Sequence, residues 1–179
     1  MKSTTAKYFG DVDNFAIRFC PSETSENHGN CNLILGGQLI GNKYEFCYLV
    51  IWKIKIEMLI DKIKNYSNYL YHKEFNNRTN REIFELILKS DTEFSEDNVE
   101  FDYLPTLEYK IWHYCHLSID ETTSSYSIVT IDDSDKIKFM WEGFFEPCPI
   151  ENIGELYHIA VEKQMLIDTL EKFLKEITK

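Results

Sequence analysis

The residues that could do chemistry in this chain are few. His113 and His116 stand three apart, Cys115 lies between them, and His158 follows downstream. A His-x-x-His pair suits a metal, yet it sits in a stretch rich in aromatic and β-branched residues that reads as a strand. On a strand an odd spacing sends the two rings to opposite faces. The expectation is therefore no metal, with His113, between Ile111 and Cys115, a core histidine satisfied by hydrogen bonding. Cys115 with His158 stays open as a nucleophile–base pair, although nothing around either residue marks a nucleophile elbow or a cysteine-hydrolase signature. Carboxylates are numerous enough for a pair set for glycoside chemistry to arise by chance, which the sequence alone does not decide.

The remaining candidates point away from catalysis. Five cysteines, Cys20, Cys31, Cys47, Cys115 and Cys148, are odd in number, widely spaced and without a Cys-x-x-Cys pair. They read as small buried hydrophobes, not as a disulfide framework or a zinc ribbon. Leu35-Gly36-Gly37-Gln38 lacks the further glycines and following helix of a dinucleotide or phosphate loop. Trp52, Trp112 and Trp141 could stack nucleobases, but the basic groove that nucleic acid requires is missing, so they read as core or interface anchors. No catalytic residue, metal or cofactor is expected.

Charge is more informative. The net charge of −11 is divided unevenly: 12 basic and 10 acidic residues up to Ser90 give +2, and 7 basic and 20 acidic residues from Asp91 onward give −13. Asp91, Glu93, Glu96, Asp97, Glu100 and Asp102 form a run with no base between Lys89 and Lys110, and Asp132, Asp133 and Asp135 form a second cluster. Such a one-sided field repels nucleic acid and anionic membranes and attracts a basic protein. Its plain alternative is a solvated loop that aids solubility.

Periodicity supplies the elements that carry these residues. Phe15, Ile17 and Phe19 alternate with Ala16, Arg18 and Cys20 as in a half-buried strand. Cys31–Leu35 and Gln38–Ile40 flank Gly36-Gly37, a two-residue hairpin turn in which both positions tolerate positive φ. Trp52, Ile56, Leu59, Ile63, Tyr66 and Leu70 recur at steps of four and three, the stripe of an amphipathic helix, while Tyr44 to Ile51 could finish as strand before it. Thr79-Asn80-Arg81-Glu82 spells a capping box, which predicts a short helix through Lys89. Leu107–Ile119 reads as a strand with Leu107, Tyr109, Ile111, His113, Cys115, Leu117 and Ile119 on one face. Tyr126–Ile131 and Lys136–Trp141, around Asp132-Asp133-Ser134-Asp135, complete a three-stranded meander with it. Pro147 and Pro149 make 144–149 a loop. Leu156–Val161, apolar on both faces, reads as a central strand, and Leu166, Leu170, Phe173, Leu174 and Ile177 define a closing helix.

The expected class is α+β: an antiparallel sheet, from an N-terminal hairpin plus a C-terminal meander, with helices on one face and a C-terminal helix. At 179 residues the chain is expected to form a single domain over 1–179. The longest strongly apolar run, Phe46 to Trp52, stops at Lys53, far short of the ~20 residues of a membrane span. The opening lysines are not followed by an apolar stretch, so no secretory signal is read and a cytoplasmic location is expected.

Three pieces carry a resemblance: Tyr8-Phe9-Gly10-Asp11 with Phe15-Ala16-Ile17, then Gly36-Gly37-Gln38-Leu39-Ile40-Gly41-Asn42, and Leu156-Tyr157-His158-Ile159-Ala160-Val161 followed by a Leu/Phe-rich helix. Together they resemble the two ends of the immunity protein 42 family, antidotes bacteria make against their own polymorphic toxins. The middle, from about Tyr44 to Asp120, matches poorly. The resemblance implies a non-enzymatic protein that binds the C-terminal domain of a cognate toxin, basic and often a nuclease, and occludes or distorts its active site. Glu93, Glu96, Asp97, Glu100 and Asp102 are the first expected toxin-binding residues, and Asp132, Asp133 and Asp135 the second. Two other readings stand beside it: a small adaptor or chaperone-like binding module, marked by many weak clients, and an enzyme of unrecognised type, marked by a deep polar pocket with perturbed titratable groups.

Overall fold

The computed structural model describes residues 5–90 and 108–178, with side chains in the second stretch from 111 onward. The acidic run Asp91–Asp102, and with it Glu93, Glu96, Asp97, Glu100 and Asp102, lies outside the described residues.

The N-terminal sheet is an antiparallel ladder of β1 (Lys7–Gly10), β2 (Phe15–Pro21), β3 (His28–Leu35) and β4 (Gln38–Ile40), with β5 (Cys47–Tyr48) pairing the far end of β3. Leu35 pairs with Gln38, so Gly36-Gly37 is the two-residue turn, with φ of +55° and +80°. Both angles are left-handed, which is why this turn is built of glycine. The alternation read at Phe15, Ile17 and Phe19 points these three rings and chains into the core.

The C-terminal sheet is the meander β6 (Tyr126–Asp133), β7 (Lys136–Gly143) and β8 (Tyr157–Glu162). Here the structure corrects three expectations. Its strands form two antiparallel sheets where one was expected. The third strand is β8, not Leu107–Ile119, and β8 is an edge strand, not a central one. Residues 108–115 instead form the helix α3 (Glu108–Cys115). Ile111 and Cys115, four apart, are buried, whereas His113 faces outward and is exposed, so it is not a core histidine. Only the end of the stretch behaves as strand: His116 bridges Val129, the Leu117 N–H donates to the Ile128 carbonyl at 2.8 Å, and Leu117 and Ile119 are buried around exposed Ser118.

Three further helices close the structure. α1 (Leu49–Asn65) buries Leu49, Trp52, Ile56, Leu59 and Ile63, close to the expected stripe, and ends before Tyr66, which is exposed. Strand β5 ends at Tyr48, immediately before it, so the open boundary at Tyr44–Ile51 resolves into a two-residue strand and a helix start. α2 (Asn80–Lys89) opens on the expected capping box: the Thr79 hydroxyl accepts from the Glu82 N–H and the Glu82 carboxylate accepts from the Thr79 N–H at 2.7 Å. The Thr79 N–H, and the Thr79 hydroxyl donating to the same carboxylate at 2.8 Å, hold the Glu82 carboxyl below its ordinary range. α4 (Lys163–Ile177) lies against β1, β2 and α1, where Phe173 meets Phe9, Phe19 and Trp52 edge-on at 5.8–6.1 Å between ring centres. Gly10 makes this approach possible, since a Cβ there would lie 2.8 Å from the Thr169 methyl.

The two sheets share one core. Phe15 of β2 stacks on Phe139 of β7 at 5.3 Å, and the Trp141 indole N–H donates to Gln38 Oε1 at 3.1 Å. Full burial of residues of this size contributes about 1.5–3 kcal/mol each, so the sheets hold one another in place.

Candidate interaction surfaces

The acidic hairpin between β6 and β7 is built by a two-residue turn, with Asp133 paired to Lys136 and Ser134 at φ +62°. All three aspartates are placed together at this end, but the carboxylates of Asp132 and Asp133 each lie beside a lysine ammonium. Asp132, half-buried, accepts from Lys163 Nζ at 2.7 Å. Asp133 is 3.8 Å from Lys138 Nζ, and the Asp135 carbonyl receives the Lys163 backbone N–H at 3.0 Å. Lys136 pairs with Glu162 on β8 at 3.3 Å. The cluster that the sequence presents as unbalanced is thus largely matched from the next strand and the start of α4.

A different surface lies on the outer side of α1. Val50, Ile51, Ile54 and Met58 are 59%, 38%, 50% and 44% exposed. Steps of three and four make these side chains neighbours along one helix flank. Tyr44, Phe46 and Tyr48, on the approach to the helix, are exposed as well. α1 is therefore apolar on two faces, one buried and one open. Contiguous exposed apolar residues of this kind mark interaction sites, whereas scattered ones carry no message. Sequence reasoning counted the buried stripe and passed over the second one. The signal was present: Leu49-Val50-Ile51-Trp52-Lys53-Ile54-Lys55-Ile56 holds more apolar residues than one helix face can bury.

Met58 joins this stripe to a cavity of about 200 Å³ between α1 and α3, lined also by Lys55, Lys62, Trp112, His116 and Ser118. Lys62 Nζ reaches across to donate to the carbonyls of His113 at 2.9 Å and Tyr114 at 3.2 Å. It thereby satisfies the orphan carbonyls at the end of α3, where a cation is also favoured by the helix dipole. Burial lowers the Lys62 pKa, and the Lys55 charge adds to the shift. His116 stacks on Trp112 at 3.8 Å, and burial first, then Lys62 and Lys55, hold it down to about 4, so the ring is neutral at pH 7. Among the described residues no carboxylate lines this cavity, and neither Lys55 nor Lys62 forms an ion pair.

The candidates for catalysis are placed as follows. Cys115 is buried in α3 with its thiol 3.9 Å from the Tyr69 and Leu70 carbonyls, and burial pushes it up to about 12, which keeps it protonated. A protonated thiol is a poor nucleophile. His158 is on β8 and exposed. No disulfide joins any of the five cysteines, and Cys31, Cys47, Cys115 and Cys148 are buried, in keeping with small core residues. The strand argument against His113 and His116 as a metal pair falls with α3, since three residues on a helix lie near one another. Among the described residues no group of three His, Cys, Asp or Glu is gathered to hold a metal ion. No helix among them is long and apolar enough to cross a membrane.

The described residues form an antiparallel α+β fold with an open apolar flank beside a lysine-lined cavity. The family model of immunity protein 42 matches residues 4–176, and the chain belongs to that family. Among solved structures it is similar to the crystal structure of CdiI from Burkholderia dolosa AUO158, with a TM-score of 0.58 and 15% identity over 95% of this chain and 99% of that one. At that identity the likeness is one of fold. No curated protein matches the chain. The match runs through the middle that the sequence resemblance left uncovered.

Proposed function

We propose that this chain is a non-enzymatic immunity protein: a single domain that acts inside the producing cell and neutralises a cognate toxin domain by binding it. Membership of the immunity protein 42 family over 4–176 carries the reading. The likeness to a CdiI fold supports it and aligns it with contact-dependent inhibition. The excess of carboxylates after Ser90 favours a basic toxin, such as a nuclease. In this reading Glu93, Glu96, Asp97, Glu100 and Asp102, with Asp132, Asp133 and Asp135, steer association, because charge acts chiefly on the encounter rate. Occlusion of the toxin's active site is the simplest mode of inhibition.

The test is genetic and then physical. The C-terminal domain of the large secreted protein that this reading expects immediately upstream is expressed with and without this chain. Cells are expected to survive only with it, and the two proteins to co-elute as a stable complex. Survival without a complex, or capture of many unrelated proteins with similar weak affinity, would favour the adaptor reading instead.

A further inference from the structure

We propose that the toxin docks on the outer flank of α1, laying an apolar ridge over Val50, Ile51, Ile54 and Met58 and placing a carboxylate in the adjoining cavity beside Lys55 and Lys62. The inference rests on the immunity reading and names the surface that performs it.

Two independent observations meet at this place. The stripe is apolar and open along two turns of helix, and nothing among the described residues covers it. Beside it, the cavity offers two lysines and an indole-stacked histidine with no acid among the described lining residues. Met58 belongs to both. An interface core of aliphatic and aromatic groups next to a desolvated charged anchor is the arrangement in which a few residues dominate binding. Lys62 has already given two hydrogen bonds to α3, so its ammonium is held in place and Lys55 supplies the adaptable partner. Ser118, exposed at the rim, adds a hydroxyl.

The cavity's charge selects among occupants. A second copy of this chain, docked through the same face about a twofold axis, would bring the lysines of both copies toward each other. The carboxylates of this flank are already engaged, Glu57 lying 4.0 Å from Lys53 Nζ and Asp61 accepting from the Asn65 amide at 2.7 Å. A toxin surface carrying an aspartate or glutamate on an apolar ridge meets both requirements. The toxin can still be basic overall. The anchor is one local carboxylate, whereas steering is a property of the whole field.

The test uses the full chain and the upstream-encoded toxin domain. Ile54→Asp and Lys55→Glu alter exposed or half-exposed positions, so circular dichroism and thermal melting are expected to match the parent. Toxin affinity is expected to fall by at least ~100-fold for Ile54→Asp and ~10-fold for Lys55→Glu, mainly through faster dissociation, with loss of protection in cells. Reversing the toxin's anchoring carboxylate to lysine should restore binding to Lys55→Glu and not to Ile54→Asp. If the parent chain binds the toxin and both variants bind within threefold of it, the docking surface is wrong while the immunity reading stands. If the parent neither binds nor protects, both fall. Sedimentation showing a parent dimer that Ile54→Asp dissolves, with toxin binding unchanged, would assign the face to a second copy and overturn the proposal.

Discussion

The outer flank of α1 and the turn between β6 and β7 are opposite answers to the same question. The turn gathers Asp132, Asp133 and Asp135 and, in sequence, is the more conspicuous. In three dimensions it is met by Lys138, Lys163 and the backbone of α4's first residue. The flank of α1 looks in sequence like more core, yet its apolar residues are open, and Lys55 and Lys62 beside it form no ion pair among the described residues. Charge counted along a chain overstates what is available for a partner, because strand pairing brings opposite charges together. Apolar residues in excess of what one helix face can bury do the reverse.

The comparison breaks first if the two faces of α1 are not distinct. Ile56, on the buried face, is expected to cost about 2–5 kcal/mol of stability when changed to Ala, as large-to-small core changes do. Ile54→Ala, two residues away and half-exposed, is expected to stay within ~0.5 kcal/mol. Urea unfolding of both variants checks this. Similar losses at the two positions would mean that the outer stripe is packed in solution.

Next in size is the acid response of the cavity. The folded-state pKa of His116 is lowered to about 4 from its ordinary 6.5, chiefly by burial. Below pH 6.5 the unfolded chain therefore binds a proton that the folded chain refuses, and stability falls as pH drops from about 6.5 toward 4. The loss from this residue is on the order of 1–3 kcal/mol. His116→Gln should flatten that part of the stability–pH curve relative to the parent. A variant with the parent's full slope would show that the imidazole is already well solvated and that the cavity is more open than its lining implies.

What was legible in the sequence follows from how local each determinant is. Gly36-Gly37 and the Thr79–Glu82 box are settled by backbone geometry within four residues, and both were read correctly. The β6–β7 hairpin and the buried stripe of α1 follow from short-range period. α3 was misread because its determinants are distant. Aromatic and β-branched residues favour strand locally, yet Ile111 and Cys115 suit either period. The helix end is completed by Lys62 from another element. Likewise, β8 was read as central because it is apolar on both faces. One of those faces serves Trp141, which stacks on Tyr157 at 5.9 Å between ring centres. The open face of α1 was visible only as an excess of apolar residues, and its exposure is a property of what fails to pack on it.

A smaller effect sharpens the other side of the comparison. The Asp132–Lys163 pair is short and partly shielded, with side chains 14% and 25% exposed. Asp132→Asn is expected to cost roughly 1 kcal/mol, and a double-mutant cycle with Lys163→Met to return a coupling of similar size, above the typical value for an exposed pair. Zero coupling would free Asp132 for a partner and restore the hairpin's standing as a contact.

The smallest expected effect falls on Asp133 and Asp135, both exposed at the turn. Asp133 already lies near Lys138, and Lys136 and Lys163 stand on either side of the turn, so removing the two aspartate charges changes the field outside by less than their number suggests. Asp133→Asn with Asp135→Asn should leave the melting temperature within a degree or so. Toxin association is expected to slow by only about two- to threefold at low ionic strength, with the difference gone near 0.15 M salt, where the screening length is ~8 Å. Dissociation should be unchanged, since rim charges act on the encounter and buried anchors on the lifetime. Stopped-flow association at several salt concentrations separates the two rates. A tenfold or larger rise in the dissociation rate would place this turn inside the interface and remove the contrast with α1.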